Sequence, residues 1–189
     1  MDKNRFPKDF FWGTATSSYQ IEGAPALDGK GPSVWDSFSH KEGNIKNGDT
    51  GDVACDHYHL WPKDIELLEN LGVDSYRFSI SWPRILPSGK ETKPNQKGLD
   101  FYSRLIDNLL EKNITPFITL NHWDIPQGLE DEGGWTERMM VDAFVEYSYH
   151  TSKHLGDRVR HWITHNEPWC VRHIGYVAGH KPPGLKNNW

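Results

Sequence analysis

Glu167 stands between Asn166 and Pro168, directly after the run Trp162-Ile163-Thr164-His165, with Trp169 beyond it. A carboxyl carried at a strand end among aromatic groups is drawn into low dielectric. That raises its pKa, so that it can hold a proton for a leaving group. The Asn166 amide beside it can donate to a hydroxyl. Arg77 is the second group of interest, because it interrupts the apolar alternation Tyr76, Phe78, Ile80. If those three side chains pack beneath helices, Arg77 and Ser79 face the opposite way. A buried guanidinium must be paired, and the pairing can be structural or part of a site. No carboxylate of the chain is an obvious partner. Other reactive residues read as ordinary: His150 and His154 are four apart on an exposed helix face with no third ligand nearby. His57 and His59 flank a helix start as packing or capping groups. No metal or organic cofactor is expected.

The elements that must position these groups alternate in type. Phe10 to Thr16 reads as a short buried strand. After a Gly/Pro/Asp-rich stretch, 56–71 reads as a helix with Ile65, Leu67, Leu68 and Leu71 as its stripe, ended by Gly72. Strand 75–81 alternates with period two. Helix 95–113 carries Leu99, Tyr102, Leu105, Ile106, Leu109 and Leu110 at helical spacing. Strand 114–120 follows. A helix capped by Thr136 then carries Met140, Ala143, Phe144, Tyr147 and Thr151, closing near Gly156. The fourth strand is 159–166. Strand–helix alternation implies a parallel sheet, either open and doubly wound or closed into a barrel. Gly13-Thr14-Ala15-Thr16 is not a G-x-G-x-x-G loop, which removes the main support for an open dinucleotide-binding sheet. Every strand end leads into polar or aromatic residues, as at the carboxyl face of a (β/α)8 barrel. The expectation is an α/β chain forming the first half of such a barrel: strands 1–4 with helices 1–3, and residues 1–189 as one unit.

Composition narrows the class. The chain has 189 residues and a net charge of -5, from 21 basic and 26 acidic residues. It shows no basic footprint for nucleic acid. No apolar run is long enough to span a membrane, and no signal-peptide core precedes Phe10-Phe11-Trp12. Cys55 and Cys170 match no metal or redox spacing, so a reduced, cytoplasmic protein is expected. The sequon Asn113-Ile114-Thr115 then reads as chance.

Four stretches together resemble glycoside hydrolase family 1, the β-glucosidases, β-galactosidases and their relatives. They are Phe10-Phe11-Trp12-Gly13-Thr14-Ala15-Thr16-Ser17-Ser18-Tyr19-Gln20-Ile21-Glu22-Gly23, Tyr76-Arg77-Phe78-Ser79-Ile80-Ser81-Trp82-Pro83-Arg84-Ile85, His122-Trp123-Asp124-Ile125-Pro126-Gln127 and Asn166-Glu167-Pro168-Trp169-Cys170. They occur in the family's order along nearly the whole chain. The resemblance implies that Gln20, His122 and Asn166 hold sugar hydroxyls where cleavage occurs and that Trp123 walls the pocket. It implies that Glu167 is the general acid/base and that Arg77 steadies the nucleophile. Glutamate at 167, where plant thioglucosidases of the family have glutamine, favours O-glycoside hydrolysis. Asn121 departs from the aromatic residue common before His-Trp-Asp. The family's nucleophile lies in a Thr-Glu-Asn-Gly motif absent from this chain. The resemblance therefore implies a β-glycoside as substrate, with turnover awaiting a C-terminal half-barrel. The alternatives are a sugar-binding module without catalysis, or self-association with a second copy. The open strand edges would favour the last of these.

Overall fold

A computed structural model describes residues 6–186. Four strands form one parallel sheet in the order β1 (Gly13–Ala15), β2 (Ser75–Ser79), β3 (Thr115–Asn121) and β4 (His161–His165). Spatial order follows chain order without a reversal. The long helices α1 (His57–Leu71), α2 (Gln96–Glu111) and α3 (Met139–Leu155) make the crossovers. This is the winding of a barrel rather than of a doubly wound sheet, whose strand order reverses at a switch point. Among the described residues four of a barrel's eight strands are present.

Register ties the strand ends together. Ala15 pairs with Arg77, Arg77 with Phe117, and Asn121 with His165. Gly13 is required where β1 meets β2, because a Cβ there would lie 2.2 Å from Ser75 Oγ and 2.7 Å from its carbonyl oxygen. The period-two reading of β2 is correct: Tyr76, Phe78 and Ile80 are buried in the core with Leu99, Tyr102 and Ile106 of α2. Gly72 closes α1 in the left-handed conformation, with φ 69°.

Several expected details differ. The first strand is three residues long, and Phe10, Phe11 and Trp12 are exposed rather than buried. Phe10 and Trp12 pack on each other and on Phe6, at a sheet edge paired on one side only. On α1, Leu67 and Leu71 are exposed, and the buried stripe is Tyr58, Ile65 and Leu68 with Trp61 against the core. Leu67 is two residues from Ile65, which on a helix turns it to the far side. Leu110 is likewise exposed, while Phe101 is buried. Thr136 is not the cap of α3. It closes a 3₁₀ turn, where its hydroxyl donates to the Gly133 carbonyl, and Arg138 precedes the helix without a side-chain cap. His150 is buried instead of exposed, 3.0 Å from the Glu146 carboxylate, so one member of the His150/His154 pair belongs to the packing. Among the described residues no group of three or more potential ligands could hold a metal. Among the described residues no helix is long and apolar enough to cross a membrane.

Candidate active site

Two buried polar clusters fix the segment that carries Gln20, which lies in the short helix Ser18–Ile21 after β1. In the first, the Ser18 amide donates to Ser79 Oγ at 2.8 Å, and Ser18 Oγ donates to Asp124 Oδ2 at 2.5 Å. The loops after β1 and β3 are thereby tied to the end of β2. Asp124 is thus a loop-ordering group, buried beneath the cleft. Burial, with Glu22 adding repulsion, pushes its carboxyl up to about 7. In the second cluster, fully buried Arg84 donates from Nε to Glu22 Oε2 at 3.1 Å, and Tyr102 donates to Glu22 Oε1 at 2.5 Å. The Arg84 guanidinium also lies 4.1 Å from the centre of the Tyr58 ring. A charge this deep is tolerated because it is paired and hydrogen-bonded.

Above these clusters a cavity of about 390 Å³ is lined by Gln20, His122, Trp123, Tyr19, Trp35 and Lys181. That is the size of a small-molecule site. Tyr19 and Trp35 stack with ring centres 5.3 Å apart, and the Lys181 ammonium sits 4.0 Å over Trp123. Burial holds His122 below its ordinary value, with Arg77 adding to the effect, so its ring is neutral near neutral pH.

Arg77 links β3 to the end of β4. Its Nε donates to Thr119 Oγ1 at 2.9 Å and its Nη2 to Asn166 Oδ1 at 2.7 Å. A guanidinium only donates, so the Asn166 oxygen is identified, and the amide NH2 is the group with protons to offer a ligand. The Trp123 indole donates to the Asn166 carbonyl at 2.8 Å. Arg77 has no carboxylate partner among the described residues. Glu167 follows at φ 43° and Trp123 sits at φ 79°, both in the left-handed region that non-glycine residues rarely occupy. Such conformations persist only where surroundings impose them, and they concentrate at functional sites. Glu167 is exposed, contrary to the low-dielectric setting expected for it. Its Oε2 accepts from Cys170 Sγ at 3.3 Å, and its carbonyl accepts the first bond of the π-helix Cys170–Val177.

Gln20, His122 and Trp123 thus share one cavity, and the Trp123 indole ties Asn166, and through it Arg77, to that wall. Tyr19, Trp35, Thr119 and Lys181 were not anticipated. Tyr19 lies inside a stretch that carried the resemblance, whereas nothing in the sequence around Trp35 or Lys181 marks either as a pocket residue.

The model for "Glycosyl hydrolase family 1" matches residues 2–189. The chain belongs to glycosyl hydrolase family 1. A 1,4-beta-D-glucan glucohydrolase of Thermotoga neapolitana is 61% identical over 183 residues, covering 97% of this chain and 43% of that protein. A family 1 β-glucosidase structure from Thermotoga maritima superposes with a TM-score of 0.95 at 59% identity, over 96% of this chain and 41% of that one. The same β-glucosidase in complex with deoxynojirimycin matches equally well. The chain spans about two-fifths of the length of the relatives it matches. The family assignment carries with it the barrel fold that the sheet winding indicated.

Proposed function

We propose that this chain supplies the sugar-holding wall and the general acid/base of a retaining β-glucosidase. Its substrate is then a β-O-glucoside or a related β-glycoside. The observation that carries this reading is that Gln20, His122 and Trp123 line one cleft, with Trp123 bonded to Asn166, Asn166 bonded to Arg77, and Glu167 next in the chain. Similarity to family 1 β-glucosidases supports it.

In retention two carboxyl groups about 5 Å apart share the work: one attacks the anomeric carbon, while the other protonates the departing oxygen and later activates water. Glu167 takes the second role. Its place on a short turn pinned by Pro168 gives it a fixed origin. Asn166 NH2 and neutral His122 can hold hydroxyls of the bound sugar, and the Trp123 face can stack on the ring. The nucleophile comes from outside this chain. Arg77 supports that assignment, because its five donors include two with neutral partners and none with a carboxylate. Asp124 cannot substitute, since it is buried and bonded to Ser18. The walls that bring Glu167 into low dielectric come with the nucleophile, from a C-terminal half-barrel.

Hydrolysis of a chromogenic β-glucoside tests this. The chain alone is expected to give no turnover, and adding a C-terminal half-barrel should restore it. Glu167→Gln should then lower kcat by roughly 10²–10⁴-fold, the usual weight of a general acid/base. Turnover by the unaccompanied chain would overturn the placement of the nucleophile. Sugar binding without turnover in the complemented protein would favour a binding module.

A further inference from the structure

Asn121 is almost wholly buried where β3 ends, and each of its polar groups is bonded to a residue of the cleft or its support. Its carbonyl accepts from the Asn166 amide at 2.9 Å. Its Oδ1 accepts from the Trp123 amide at 3.1 Å, and its Nδ2 lies 3.2 Å from His165 Nδ1. A backbone N–H only donates, so the Trp123 bond identifies Oδ1 as the amide oxygen. Nδ2 must then donate, and His165 Nδ1 must accept. His165 is therefore neutral with its proton on Nε2. Its surroundings agree, with the ring stacked on Phe144 at 4.5 Å and edge-on to Trp135 at 5.1 Å. Burial disfavours the charged form and holds His165 below its ordinary value, and the ionisable groups on the adjoining cavity wall are Arg172 and Tyr176.

Resting on the reading of the cleft as a sugar site, we propose that Asn121, held by His165 in its Nε2–H form, is the positioning residue that sets Trp123 and Asn166 against the sugar. The Oδ1 bond closes a tight turn over His122 and holds Trp123 in its left-handed conformation. The Trp123 indole then reaches the Asn166 carbonyl, whose amide hydrogen returns to Asn121. This closed circuit joins the two strand ends that carry His122, Trp123, Asn166 and Glu167. Protonating His165 turns Nδ1 into a donor facing a donor. The Asn121 amide must then rotate or part from the ring, and rotation puts NH2 against the Trp123 N–H.

The test uses the full chain with ¹⁵N-labelled histidine and tryptophan, read by NMR without ligand. The parent should show His165 protonated on Nε2 alone. Its Trp123 indole N–H signal should shift on acidification with the His165 midpoint. Asn121→Asp keeps an acceptor for Trp123 but offers a carboxylate to the ring. His165 should then move its proton to Nδ1 and titrate at higher pH than in the parent, with the Trp123 signal near its parental position. In Asn121→Leu the Trp123 signal should move and lose its link to His165. At one neutral pH, deoxynojirimycin should bind about tenfold more weakly to Asn121→Leu, and near parental strength to Asn121→Asp. An Nδ1–H tautomer in the parent, or a parental indole signal indifferent to His165 titration, overturns the proposal even if Asn121→Leu fails to fold. If the NMR results hold but deoxynojirimycin binds no variant and not the parent, the sugar-site reading fails while the Asn121–His165 clamp stands.

Discussion

The strand ends of this molecule are held in two different ways. Beyond β1, β2 and β3, side chains are locked from below by Ser18–Asp124–Ser79 and by Arg84–Glu22–Tyr102, all deeply buried. Beyond β4, Glu167 and Trp169 stand exposed, and the contacts that steady them are local: Cys170 for Glu167, and His173 stacked 4.7 Å from Trp169. On the proposed function, the part that would grip a sugar is pre-organised within this stretch of chain. The part that would move a proton is oriented by its backbone, while its carboxylate stands exposed. Preorganisation and pKa tuning are thus separable, one supplied by buried hydrogen bonds and the other by enclosure.

The largest expected effect tests the locked side. Glu22→Ala strands Arg84 as an uncompensated buried charge. It is expected to cost about 3–5 kcal/mol of unfolding free energy, measured by urea denaturation of the full chain. A loss under about 1 kcal/mol, the size of an exposed pair, would remove the contrast between the regions.

Asp124 sharpens the comparison through pH. Folding raises its carboxyl from the ordinary range to about 7, chiefly by burial. The folded state therefore holds the proton more tightly than the unfolded chain does. The resulting stability is present below the unfolded carboxylate range and is lost as pH rises through about 7. Asp124→Asn should flatten that decline between about pH 4 and about pH 8 in paired denaturation curves. An unchanged slope would show that Asp124 is hydrated in the folded protein.

The smallest effect concerns Thr136. A true helix cap would cost about 1 kcal/mol on replacement by alanine. With its hydroxyl in an exposed turn, Thr136→Ala should stay within about 0.5 kcal/mol. A larger loss would restore it as a cap.

Legibility followed the range of the interaction concerned. Tyr76, Phe78 and Ile80 announced their buried face because strand alternation is local, and Gly72 announced a helix end for the same reason. Leu67, Leu71 and Leu110 misled because hydrophobicity alone does not say which side of a helix meets the sheet. His150 looked like a surface residue because its cover comes from packing that no local pattern specifies. In the candidate site, Gln20, His122 and Trp123 were singled out only through the order of four motifs, whereas Asn166 was also marked by its place beside Glu167 at a strand end. Glu22 and Arg84, in two of the same motifs, proved to be the scaffold.

The sequence by itself determined the alternation of strands and helices, hence a parallel α/β sheet, and the family to which the chain belongs. Both follow from short-range periodicity and from residue strings that need no third dimension to be recognised. Only the tertiary structure decided that Glu22 and Asp124 are buried supports while Glu167 is exposed. It also decided that Arg77 bonds Thr119 and Asn166, and that Asn121 Nδ2 faces His165 Nδ1. Those outcomes depend on partners more than 40 positions apart in the chain, brought together by strand register. Burial, donor direction and charge environment exist only once such partners meet.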